Sequence, residues 1–174
     1  MKKRLAITIL SLVGVAVVVV GLAVFKPWLL WVDVRVNDAL PTVAPSATSA
    51  PEVTAPPTAP VALSTGTFIS HEHETSGTAT IVENPDGTRV LALENLVTSN
   101  GPDVHVWLSA ADVVEGADGW YTAGTAEYLD LGAIKGNVGN QVYDIPEGFD
   151  LTGVRSVDLW CVQFGVSFGA AQLQ

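Results

Sequence analysis

Between Leu5 and Phe25 the chain carries 21 residues without a single charge, most of them Val, Leu, Ile and Ala. Such a run can enter hydrocarbon only as a helix, the form that satisfies its own backbone hydrogen bonds. At about 1.5 Å per residue it matches the ~30 Å core of a bilayer. Met1-Lys-Lys-Arg4 precedes it, a basic tail that the positive-inside rule holds in the cytoplasm. A cleaved signal peptide is the competing reading, but its apolar core is usually about 7–15 residues, and Gly21-Leu-Ala23 is a poor cleavage signal. Residues 5–25 are therefore expected to be an uncleaved anchor that takes the lipid bilayer as partner. The expected topology is single-pass in the cell membrane, with everything after Phe25 outside.

Lys26-Pro-Trp-Leu-Leu-Trp31 then sets Trp28 and Trp31 where amphipathic rings favour the headgroup layer. Residues 40–63 hold six of the ten prolines, Pro41, Pro45, Pro51, Pro56, Pro57 and Pro60, among Ala, Thr and Ser. This stretch offers no apolar periodicity from which to build a core. As an extended chain it would reach roughly 70 Å at about 3.1 Å per residue. Residues 26–63 thus read as a juxtamembrane segment followed by a Pro/Ala/Thr-rich stalk, and 64–174 as the outer domain.

From Ser64 onward three cations (Arg89, Lys135 and Arg155) face 15 acidic residues, a net charge of −12. A surface of that sign repels phosphate backbones, which excludes nucleic acid as a partner. Cys161 is the only cysteine. An exported domain with one thiol has no internal disulfide and must stand on its core. The thiol is left as a free or intermolecularly bridged group, as a ligand, or as a small buried hydrophobe whose reactivity burial quenches.

The outer domain alternates short apolar runs with turn residues. Strands are expected at Gly66–Ser70, Gly77–Glu83, Thr88–Leu96, Asp103–Ser109, Tyr128–Ile134 and Asn140–Ile145, with a final pair around Cys161. Asn84-Pro-Asp-Gly87 and Ser99-Asn-Gly-Pro102 supply turn chemistry. From Ser156 onward the alternation puts Val157, Leu159 and Cys161 on one face, with Asp158, Trp160 and Val162 on the other. About eight short strands with no sustained helical stripe predict an all-β domain, a small sandwich or barrel.

His71-Glu-His-Glu74 sets two imidazoles two residues apart, and His105 lies on another strand. With Cys161 they form a candidate His-and-Cys set for copper or zinc. The sole methionine is Met1, however, so the axial thioether of a blue-copper centre is missing. Thr75 stands where a zinc-protease helix needs its second His, and Lys135-Gly-Asn-Val-Gly-Asn-Gln141 lacks the order of a phosphate loop. No G-x-S-x-G or nucleophile–base pair is visible. The residues argue for no autonomous catalytic site.

Four segments carry a family resemblance: Gly66-Thr-Phe-Ile-Ser-His-Glu-His-Glu-Thr-Ser-Gly77, Ser99-Asn-Gly-Pro-Asp-Val-His-Val-Trp-Leu-Ser109, Leu131-Gly-Ala-Ile-Lys-Gly-Asn-Val-Gly-Asn-Gln-Val-Tyr-Asp-Ile-Pro146 and Ser156 to Leu173. Residues 66–173 resemble the DM-thirteen domain, a β-rich module grouped with DOMON domains and associated with electron transfer. The resemblance implies a redox role centred on Cys161, as a redox thiol or as a holder of haem. His71, His73 or His105 would then be the available axial ligand, and a redox or cell-envelope protein the expected partner. A reading of a different class also stands: a non-catalytic cell-envelope binding module in which Cys161 is a core residue.

Overall fold

The computed structural model describes residues 2–43 and 59–174. Residues 44–58, the bulk of the proline-rich stretch and most of the expected stalk, lie outside the described residues. Helix α1 (Lys2–Phe25) is followed by a 3₁₀ turn, Pro27–Trp31. Proline disfavours helical backbone in the residue before it, and Lys26 accordingly adopts a left-handed conformation at φ 42°. The segment Ala6–Phe25 is long and apolar enough to cross a bilayer and is unburied by the rest of the chain. That suits a single-pass anchor and equally a signal sequence.

Beyond the helix the chain is all-β, as the alternation predicts. The strands are β1 (Arg35–Asn37), β2 (Val61–Ser70), β3 (Ser76–Glu83), β4 (Arg89–Val97), β5 (Val104–Ser109), β6 (Tyr128–Ala133), β7 (Val138–Ile145), β8 (Ser156–Cys161) and β9 (Val166–Gln172). Among the described residues they form one nine-stranded sheet in the order β1-β7-β4-β3-β2-β9-β8-β5-β6, curled into a half-barrel. Strand β2 makes the bend: Val61–Thr67 pairs with β3, and Phe68–Ser70 passes on to β9. Gly66 sits at that transfer, where an added Cβ would collide with the Gln172 carbonyl. The two halves close on Ile81, Leu91, Leu93 and Tyr143 from one side and on Val106, Leu108, Leu159, Cys161 and Phe168 from the other. Non-directional burial of apolar surface of this kind is the main stabilising term for a domain without disulfides.

Residues 26–63 are expected to lie outside the folded domain, but Arg35–Asn37 joins the sheet as β1. It runs parallel to Val138–Asn140 on the edge of the sheet. Gly139, at φ 112°, lets it approach, since a Cβ there would collide with the Val36 carbonyl. Asn137, almost fully buried, donates from Nδ2 to Asp33 Oδ1 (3.0 Å) and to the Thr98 carbonyl (2.9 Å), while its Oδ1 accepts from Val34 N–H (2.7 Å). Lys135 Nζ meets Asp38 Oδ2 at 2.6 Å. Lys135–Gln141 is therefore a dock for the segment that leaves the helix, and its glycines and asparagine serve backbone approach. Nine residues separate Phe25 from Arg35, so this strand, and not the reach of the proline-rich stretch, sets the distance from helix to domain.

Candidate functional site

Strand β8 is buried along its whole length. Its inward face is the predicted one: Val157, Leu159 and Cys161 lie in the core. Its other face is buried too, because the excursion between Ser109 and Tyr128, with 3₁₀ turns Ala117–Gly119 and Ala123–Thr125, folds over it. Gly124 lies directly against the Trp160 ring, leaving no room for a Cβ. Trp107, Ala123 and Trp160 form a second small core on this side. The rings stack in series: Trp107 lies 3.6 Å from Tyr128 between centroids, with planes 6° apart, and 4.9 Å from Trp160.

The same face holds a buried polar chain. Ser167 Oγ lies 2.8 Å from Asp158 Oδ2 and 2.7 Å from His71 Nδ1, and His71 Nε2 lies 3.1 Å from the Val114 carbonyl. Desolvation pushes the Asp158 carboxyl up to about 7, against the opposing hydrogen bond from Ser167. Desolvation also lowers His71, with the Val114 carbonyl opposing. Both directions favour the neutral pair. Because a carbonyl only accepts, His71 Nε2 must carry a proton. Ser167 donates to an ionised Asp158; when Asp158 is protonated the chain reverses, with Asp158 donating to Ser167 Oγ, Ser167 to His71 Nδ1 and His71 to the Val114 carbonyl. Moving one proton along the serine would give the charged pair. Nothing in the β-strand pattern distinguishes Asp158 from a solvent-facing acid, so its role becomes visible only once the excursion is in place.

The four residues expected to form a ligand set do not converge. The Cys161 thiol is fully buried, and desolvation pushes its pKa up, with the backbone N–H groups of Phe164 and Gln163 opposing. His71 has both nitrogens engaged in the polar chain. His105 is held between Asp130 Oδ2 at 2.8 Å and Asp103 Oδ1 at 3.2 Å. His73 pairs with Glu72 at 2.5 Å and tilts onto the Phe168 ring, 3.8 Å between centroids. Among the described residues no three His, Cys, Asp or Glu side chains are grouped as a metal site. A thiol in the core and imidazoles already committed at separate places do not fit haem, copper or zinc.

One cavity adjoins this region. It holds about 500 Å3 and is lined by Phe25 and Lys26 at the helix end and by His73, Trp120, Phe164 and Phe168 of the domain. Phe25 and Phe164 stack 5.8 Å apart, and Gln163 Nε2 donates to the Val24 carbonyl at 3.1 Å. Val166 also lines the cavity and is the ladder partner of Cys161. The cysteine therefore lies beside one of its wall residues.

The fold and this geometry define a class: a curled all-β domain with one buried cysteine, held close to a long apolar helix. The family model described as Electron transfer DM13 matches residues 67–173, and the chain belongs to that family. No curated protein and no solved structure matches it.

Proposed function

We propose that this chain is a single-pass, membrane-tethered electron-transfer domain, displayed outside the cell membrane, with Cys161 as its redox-sensitive residue and a redox or cell-envelope protein as partner. The observation that carries this reading is the match to the electron-transfer family over residues 67–173, from the end of β2 through β9. Two further features support it. The apolar length and the basic residues before it suit an anchor with the domain outside. Cys161 adjoins a cavity through Val166, so a conformational opening of one side-chain layer would expose the thiol.

The test is spectroelectrochemistry on the full chain in phospholipid nanodiscs, beside Cys161→Ala. A redox-linked optical or EPR change that the variant lacks supports the reading. A chain that neither accepts nor donates electrons across the biological range of potentials overturns it.

A second reading, a non-catalytic envelope interaction module, is favoured by the complete burial of Cys161 and the upward push on its thiol. Both describe a small core hydrophobe. Crosslinking in intact envelopes would recover a specific partner equally well with wild type and Cys161→Ala if this reading holds.

A further inference from the structure

From the cavity at the helix–domain junction we infer a binding site for the headgroup of a lipid-soluble quinone. The inference rests on the electron-transfer reading and on residues 5–25 lying in a membrane. About 500 Å3 falls within the ~300–1,000 Å3 range of small-molecule sites. The walls are aromatic: Phe25, Trp120, Phe164 and Phe168 offer faces and edges to a flat ring. The polar groups are few and lie at defined places. His73, through the ring nitrogen not paired with Glu72, and Lys26 can donate to ring carbonyl oxygens.

Position selects the ligand class. Phe25 is the last residue of the apolar helix and is itself a wall of the cavity, so the opening lies where the hydrocarbon ends. Tyr121 and Phe164 of its lining are exposed, as are Trp28 and Trp31 in the turn that leaves the helix, aromatic side chains of the kind favoured at a bilayer surface. The docking of β1 beside β7 keeps the domain at that height. A ligand reaching this site has dissolved in the bilayer. An acyl chain alone would use only the aromatic walls, whereas a quinone ring on an isoprenoid tail uses both the walls and the donors at His73 and Lys26.

The experiment is photolabelling of the full chain in phosphatidylcholine nanodiscs with a short-tailed azido-benzoquinone, with labelled residues mapped by mass spectrometry. Expected is saturable labelling on Tyr121, Phe164 or the His73 segment. It should be competed by the parent quinone and not by an alkylbenzene with the same tail. His73→Leu should weaken competition about tenfold, the effect of one lost hydrogen bond. Phe164→Ala, at an exposed hairpin tip, tests the wall should His73→Leu fail to fold. Labelling confined to residues 6–24, or equal competition by the alkylbenzene, overturns the quinone site and marks a lipid contact only. Saturable labelling in a chain that shows no redox response would instead remove the electron-transfer reading and leave the site standing.

Discussion

Trp107 and Asp158 face one another across the β5–β8 ladder, and each keeps one buried polar atom without a hydrogen-bond partner among the described residues, Trp107 Nε1 and Asp158 Oδ1. Directly opposed side chains of an antiparallel pair lie about 4.5–5.5 Å apart at Cβ. An indole donor and a carboxyl acceptor are thus neighbours in a water-poor layer, where unsatisfied groups are costly. Four predictions follow from this layer and from the elements around it.

Replacing Asp158 with Asn should change how stability depends on pH. In the fold the carboxyl holds its proton up to about 7, against 3.8 ordinarily. Between those values the folded state binds more protons than the unfolded state. Stability therefore falls as pH rises through that window, by on the order of 4 kcal/mol at most. His71 acts oppositely, since its lowered pKa makes stability fall as pH drops below 6.5. Asp158→Asn should gain on wild type from pH 4 to about pH 7 and then level off, in urea denaturation of the detergent-solubilised chain followed by tryptophan fluorescence. Parallel pH profiles would contradict the buried neutral acid.

Trp160→Ala should destabilise by about 3–5 kcal/mol, because it empties the second core and strips the cover from β8. Amides of the Ala110–Glu127 excursion should lose hydrogen-exchange protection before those of β3 and β4. Uniform loss across all strands would show that the excursion is not a separate layer.

The Cys161 thiol should resist alkylation in the native chain and react at the rate of a free thiol once unfolded, as its burial and raised pKa require. Cys161→Ser should cost about 1–3 kcal/mol by placing a hydroxyl in an apolar core. Cys161→Ala is the gentler probe. Stoichiometric labelling of folded protein would place the thiol at the surface.

Asn137→Ala should release β1, since it removes the acceptor for Val34 N–H and the donor for the Thr98 carbonyl. Hydrogen exchange at Arg35–Asn37 should rise at least tenfold while β2–β4 stay protected. Gly139→Val should do the same by collision with the Val36 carbonyl. Unchanged exchange at Arg35–Asn37 in both variants would mean that the dock does not hold the strand.

The strand pattern was legible because alternation along a strand reports directly which face is apolar. Val157, Leu159 and Cys161 point inward as that rule requires. The same rule misplaces the other face of β8, for it is blind to cover supplied by an irregular segment. Ala110–Glu127 has no period, yet it converts Asp158 from an apparent surface acid into a buried one. Arg35–Asn37 escaped for a related reason: three residues are too few to show a pattern, and their partner lies about a hundred positions away. The glycines and asparagine of Lys135–Gln141 were visible, but their purpose depends on a strand that reaches them only in three dimensions.

By itself the sequence determined an apolar helix-forming segment, an all-β domain after a proline-rich stretch, its family, and the inward face of the Cys161 strand. Each follows from local composition or a short period. Tertiary structure alone decided that the histidines and the cysteine stand apart, that Asp158, Ser167 and His71 join in a buried chain, and that the helix end and the domain share a cavity. These depend on which distant segments meet, and contact at long sequence separation leaves no periodic trace in the chain.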